Sequence, residues 1–287
     1  MNLLEVRGLC KRYDGFFLNN VSLSLEPGYI MGFIGRNGAG KTTTVKSILG
    51  LVKKDGGEVF IDGVRFDGNE TACRLKTGYV SGGFDCYGKT QLKRITDVTR
   101  RFYPEWSDDA YRSYMKRFSI DENKKVCELS AGMRVKYALA LALSHNAKLL
   151  ILDEPTSGLD PVSRDDLTDV FRDVVSDEKH SILFSTHIIS DLEKCADYIT
   201  YIKDGAIVAS ADSDSFRDGY RLVSGDISAL DEKMPYIIGH KSNAFGFTAL
   251  IRSSDLHEFD GFRTAPADLE SIMVYTEQED QNEEHTL

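Results

Sequence analysis

The chain of 287 residues carries 35 Lys and Arg against 45 Asp and Glu, a formal net charge of −10, and 41% of its residues are hydrophobic. That apolar fraction supports one large domain, or a main domain with a smaller one, while the acidic balance argues against a surface built to hold nucleic acid, since phosphate contacts need clustered Lys and Arg. Glu5 and Arg7 come too early for a secretory signal core and no apolar run approaches the roughly 18 residues of a membrane helix, so neither export nor a membrane span is expected.

The first stretch reads as β-rich. Residues 3 to 6 predict a strand, and residues 21 to 25 (VSLSL) alternate apolar and polar side chains as a strand with one exposed face does. Between them, the loop KRYDG holds Tyr13, read either as a ring that stacks on a base or as a partly buried loop tyrosine. Pro27-Gly28 turns the chain into an apolar strand over residues 29 to 34 (YIMGFI), and residues 42 to 51 predict the helix that follows. Between these lies Gly35-Arg36-Asn37-Gly38-Ala39-Gly40-Lys41-Thr42-Thr43, which matches G-x-x-x-x-G-K-[ST] in full. Gly35, Gly38 and Gly40 permit positive φ and carry no Cβ, so successive backbone N–H groups can converge on phosphate oxygens at a helix N-terminus. Lys41 adds a point charge for the β- and γ-phosphates, and the Thr42 hydroxyl is placed to ligate Mg²⁺.

Residues 58 to 66 (EVFIDGVRF) predict a hairpin around Asp62-Gly63. Residues 84 to about 146 predict a helical subdomain, with Ser107 as a helix start and Ala110, Tyr111, Tyr114, Met115 and Phe118 as its apolar stripe. Ser130 and Gly132, in LSAGM, open an Ala/Leu-rich helix and read either as an ordinary serine N-cap or as a second anion site. Residues 149 to 152 (LLIL) form a buried strand that delivers Asp153 and Glu154 to its carboxyl end, where ligands of open parallel sheets bind. There Asp153 can hold Mg²⁺ through water, and Glu154 can polarise an attacking water. After the SGLD loop and a helix to about Ser176, residues 181 to 184 (SILF) place His187 at the same sheet edge, where a γ-phosphate contact is needed. A hairpin around Asp204-Gly205 closes the domain.

From about residue 212 the pattern loosens, with strands near residues 220 to 223 and 248 to 252 and an apolar stretch near 269 to 275. The polar, acidic end from 277 to 287 is expected to be disordered. The five cysteines, Cys10, Cys73, Cys86, Cys127 and Cys195, form no C-x-x-C pair, as suits a reducing cytoplasm, and argue against zinc.

With GRNGAGKTT, LSAGM, LLILDEP, SGLD and STH in this order, residues 1 to about 211 resemble the ATP-binding subunit of an ABC transporter, of the bacterial ABC-2-type exporter group. The resemblance implies an α/β fold of ABC-ATPase type, with a parallel-sheet core, an antiparallel β subdomain, a helical subdomain and a small C-terminal accessory region over 212–276. By position, Tyr13 matches the adenine-stacking aromatic, Gly35 to Thr43 the Walker A loop, Ser130 and Gly132 the signature, Asp153 and Glu154 Walker B, Asp160 the D-loop and His187 the switch histidine. It further implies that ATP and Mg²⁺ bind between the Walker A loop of one subunit and the signature of a second, identical or paralogous, in a head-to-tail pair. The partner implied is a separate membrane-spanning permease, which holds the ATPase peripherally on the inner face of the membrane. The rival within the family is a soluble ABC ATPase of a non-transport complex, disfavoured because the chain has neither a long heptad segment nor a second P-loop. A P-loop kinase or GTPase leaves LSAGM and His187 unexplained.

Two positions depart from the family pattern: Met133 replaces the glutamine that usually ends the signature, and Gly82 stands where a glutamine normally reaches Mg²⁺ and the attacking water. Glycine supplies neither contact, and the Gly82-Gly83 pair raises the entropy cost of ordering the loop. Either water or a nearby group fills the place, or the site hydrolyses slowly until a partner orders the loop. The second is favoured, which gives weak ATPase activity in the isolated chain, stimulation by the permease, and a faster basal rate in Gly82→Gln if the metal and water contact is what is missing.

Overall fold

The computed structural model describes residues 1–82, 87–243 and 245–284, and the chain divides into two compact units, Met1–Ser210 and Ala211–Leu287. In the first, β1 (Leu4–Tyr13) and β2 (Phe16–Leu25) pair antiparallel with Tyr13 opposite Phe16. Both strands outrun the apolar runs at 3–6 and 21–25, because ladder pairing continues through residues whose side chains face water. β3 (Ile30–Ile34) leads through the glycine loop into α1 (Lys41–Ile48). Next come β4 (Gly56–Ile61) and β5 (Val64–Arg65), which extend the first hairpin into an antiparallel sheet of order β2-β1-β4-β5.

After α2 (Glu70–Leu75) and β6 (Thr77–Ser81) the chain becomes helical: α3 (Leu92–Thr99), α4 (Asp108–Arg117) and α5 (Ala131–Ser144). The start of the segment expected to be helical, residues 84–86, lies outside the described residues, as does Gly83. Ser107 caps α4 by accepting from the Ala110 N–H at 3.1 Å, and Tyr111, Met115 and Phe118 are buried, so the aromatic stripe is core. Tyr137 on α5 ties this layer together, donating to the Leu92 carbonyl at 3.0 Å with the Thr96 hydroxyl at 2.9 Å.

The remaining elements of this unit are β7 (Leu149–Asp153), α6 (Pro161–Val175), β8 (Ser181–Thr186), α7 (Ile189–Cys195), β9 (Tyr198–Lys203) and β10 (Ala206–Asp212). They complete a six-stranded sheet of order β10-β9-β3-β8-β7-β6, parallel at β9/β3, β3/β8, β8/β7 and β7/β6. Every residue of β3, β7 and β8 is buried, as parallel strands covered on both faces must be. The register sets Ile34 beside Thr186, and Asp153 beside both Ser185 and Ser81. The glycine loop, Glu154 and His187 therefore leave neighbouring strands at one carboxyl edge. Val45 and Ile48 of α1 lie in one apolar cluster with Leu4 and Val21 of the antiparallel sheet and Phe33, Ile151 and Leu183 of the parallel one. Each fully buried side chain of this size contributes about 1.5–3 kcal/mol, so the loop that α1 carries rests on a rigid seat.

The second unit contains α8 (Ser213–Asp218), β11 (Tyr220–Gly225), α9 (Leu230–Lys233), β12 (Ile237–Asn243), β13 (Gly246–Arg252), β14 (Arg263–Pro266) and α10 (Leu269–Glu284). Its antiparallel sheet has the order β12-β13-β11-β14, with α10 against β12 and β13. A Cβ at Gly239 would lie 2.1 Å from the Tyr275 carbonyl oxygen, so glycine is what lets the helix backbone approach the strand. Leu269, Ile272, Met273 and Tyr275 are buried. The backbone of α10 runs on to Glu284, through most of the stretch expected to be disordered. Once buried turns nucleate a helix, each added polar residue costs little.

Candidate functional site: a phosphate loop facing a carboxylate and a histidine

The loop between β3 and α1 takes its shape from glycines with different duties. Gly38 and Gly40 have φ of 90° and 112°, a region that a side chain strains to reach. Gly35 does not: it is needed because a Cβ there would sit 2.3 Å from the Ile202 carbonyl oxygen of β9. Gly40 is the N-cap of α1 and offers no side-chain cap, so the first-turn N–H groups stay available to an anion. Asn37 is exposed, whereas Ala39 is buried and accepts the Gly205 N–H at 3.0 Å, pinning the loop to the β9–β10 turn.

Lys41 is only 5% exposed, and its ammonium group donates to the Gly35 carbonyl at 2.7 Å and the Arg36 carbonyl at 3.2 Å. The ammonium group also lies 3.3 Å from Glu154 Oε1. The other carboxylate oxygen, Oε2, lies 2.7 Å from His187 Nδ1. Glu154 thus stands between the loop lysine and the histidine, and all three line a cavity of about 630 Å³ with Asn37, Thr42 and Thr43. Buried Asp153 accepts from the Ser185 hydroxyl at 2.6 Å and the Thr42 hydroxyl at 3.3 Å. Glu154 has φ of 52°, and its N–H donates to the Ser185 carbonyl at 3.0 Å and hydroxyl at 3.2 Å.

The Thr42 hydroxyl beside the Asp153 carboxylate is a hard oxygen pair of the kind that, with phosphate oxygens, holds Mg²⁺, so the residues fit that ion. When bound, the metal neutralises phosphate charge. The loop N–H groups and the Lys41 ammonium group are of the chemistry that can hold phosphate oxygens, and the Glu154 carboxylate can accept a proton from water.

The other residues singled out in sequence lie elsewhere among the described residues. Tyr13 ends β1 under the Lys11 ammonium group, 5.2 Å from its ring centroid, and does not line the cavity. Its cross-strand partner Phe16 does line it, and presses within 2.9 Å of where a Gly40 Cβ would be. Ser130 caps α5 through the Met133 N–H at 3.2 Å, a bond indifferent to the side chain at 133, and neither Ser130 nor Gly132 lines the cavity. Asp160 caps α6, accepting from the Val162 and Ser163 N–H groups at 3.0 Å each. The Ser163 hydroxyl and these N–H groups hold its carboxyl below the usual range. Ser185 was not singled out in sequence; its signal was its place in STH, one strand from Asp153.

Gly82 corrects the sequence reading. Its N–H donates to the Asp153 carbonyl at 2.9 Å, and a Cβ there would lie 2.0 Å from the Glu154 carbonyl oxygen. No glutamine enters without displacing Glu154, so the faster Gly82→Gln enzyme is not expected.

Comparison with known proteins agrees with this geometry. A family profile described as "ABC transporter" matches residues 18–157. The ABC transporter ATP-binding protein YtrB of Bacillus subtilis (strain 168) is 33% identical over 219 residues, 76% of this chain and 75% of that protein. The bacitracin transport ATP-binding protein BcrA of Bacillus licheniformis is 29% identical over 72% of this chain and 68% of its own. A solved structure of an ATP-binding subunit of an ABC transporter superposes with a TM-score of 0.67 at 27% identity, covering 75% of this chain and 92% of that one. Among the described residues no helix is long and apolar enough to cross a membrane. A phosphate loop whose lysine faces a carboxylate at the next-but-one strand end, in a chain one-third identical to such a protein, places this chain in the family of ABC-transporter ATP-binding proteins, which bind and hydrolyse ATP.

Proposed function

We propose that this ATPase works as a head-to-tail pair, identical or paralogous, that closes on MgATP and drives export through a separate membrane-spanning permease, which holds it at the inner membrane face. The observation that carries the pairing is the division of the site: Lys41, Thr42, Glu154 and His187 share one cavity, while the helix N-terminus at Ser130 and Gly132 is not part of it. A second copy supplies that N-terminus to the phosphates. In this reading Glu154 is the hydrolytic base, His187 orients it, Thr42 and Asp153 hold Mg²⁺, and Asp160 lies near the shared face.

An apolar groove of about 470 Å³ on the helical layer supports the permease as partner, because Val98 and Phe102 are 56% and 72% exposed along it. Transport roles carried in the names of relatives favour the same reading over a soluble complex.

The test is Glu154→Gln, which keeps the shape and removes the basicity. The variant is expected to bind MgATP without turnover, and light scattering should show more dimer than in wild type. Retained turnover with no ATP-dependent change in mass overturns the proposal.

A further inference from the structure

The end of β6 approaches Glu154 more closely than any side chain allows. Gly82 continues the β6–β7 ladder one residue past Ser81, donating to the Asp153 carbonyl at 2.9 Å. A Cβ on it would lie 2.0 Å from the Glu154 carbonyl oxygen and 2.9 Å from the carbonyl carbon. On the other side, Ser185 accepts the Glu154 N–H with both its carbonyl and its hydroxyl oxygens. The peptide units of Glu154 are held from two strands while its φ is 52°, a conformation that a non-glycine residue keeps only when its surroundings impose it. That conformation aims the carboxylate at Lys41 and His187.

We propose that Gly82 is a positioning residue for hydrolysis: lacking a Cβ, it lets β6 close on the Glu154 carbonyl and, with Ser185, fixes the backbone that aims the Glu154 carboxylate. The inference rests on the reading of Glu154 as the base. Position 82 therefore acts in this chain through its backbone, and a side chain added there is harmful whatever its chemistry. To regain even 3.0 Å, the Gly82 and Glu154 backbones must part by about 1 Å, and a misplacement of that size at a reacting group costs on the order of a hundredfold in rate. Lys41 and the first turn of α1 stand on a different strand and are spared.

The experiment measures kcat, KM and MgATP affinity for the full chain and its Gly82→Ala and Gly82→Gln variants, with Glu154→Gln alongside. The expected result is a kcat about a hundredfold lower in both Gly82 variants, with MgATP affinity not weakened. Ser185→Ala, which introduces no collision but also takes a hydrogen bond from the Asp153 carboxylate, should lower kcat by a smaller factor. A normal kcat in Gly82→Ala, a faster Gly82→Gln, or an equal loss of MgATP affinity and kcat overturns the inference. So does a Ser185→Ala enzyme of wild-type kcat. Turnover retained in Glu154→Gln instead removes the base itself, and the inference with it, so the two failures are told apart by that arm.

Discussion

Glu154 has a second consequence for nucleotide binding. Without nucleotide its carboxylate is the counter-ion of Lys41, and an arriving phosphate must take that lysine from it. At 3.3 Å the Coulomb attraction runs from about 1.3 kcal/mol at the dielectric of water to about 5 kcal/mol at an effective value near 20. Lys41 also bonds the Gly35 and Arg36 carbonyls, and Glu154 has His187 at 2.7 Å, so the contact taken as exchanged is the one between Lys41 and Glu154. The net cost in wild type is then about 1–2 kcal/mol, roughly five- to thirtyfold in affinity. Glu154→Gln removes the competing charge and should tighten binding by that factor. ADP is the informative ligand, because a tighter ADP complex owes nothing to blocked hydrolysis. Isothermal titration of Mg-ADP into wild type and Glu154→Gln reads it directly. Equal or weaker ADP binding in the variant would refute the idea that Glu154 competes for Lys41.

Three further outcomes follow from named contacts. Tyr137→Phe leaves the buried Leu92 carbonyl and Thr96 hydroxyl short of a partner and should cost about 1–3 kcal/mol in urea unfolding. Burial holds the His145 imidazole, stacked on Tyr103 at 3.7 Å, down to about 4 from an ordinary 6.5. The folded state keeps this group neutral while the unfolded chain takes a proton, so its contribution is complete above pH 6.5 and lost as pH falls toward 4, about 3 kcal/mol in all. The difference between wild type and His145→Phe, measured by urea unfolding across that window, should show this slope. Phe102→Asp places a charge in the exposed apolar groove and should weaken co-purification with the permease by roughly tenfold or more. Undiminished co-purification would move the docking surface elsewhere.

The sequence by itself determined the chemistry and most of the elements. The phosphate loop, the acidic strand end and the histidine were legible because each is a local signal: a glycine pattern between strand and helix, or a charge abutting an apolar run. The capping serines at 107 and 130 were legible for the same reason, since a hydroxyl satisfies an N–H three residues away. Tertiary structure alone decided which groups meet. Sheet order brings β3, β8 and β7 side by side, and so sets Glu154 between Lys41 and His187, 113 residues further along the chain than Lys41 and 33 before the histidine. Phe16 of β2 lines the cavity and Tyr13, its cross-strand partner at the end of β1, does not, a distinction that the loop reading at KRYDG could not register. Asp160 proved to be a helix cap, and α10 lies against β12 and β13, where Gly239 lets the Tyr275 backbone come close. The meaning of Gly82 turned over altogether. A missing side chain reads in sequence as a lost contact, while in space the missing Cβ is what allows two backbones to touch, because close approach depends on chains far apart in number and not on the neighbours that a sequence displays.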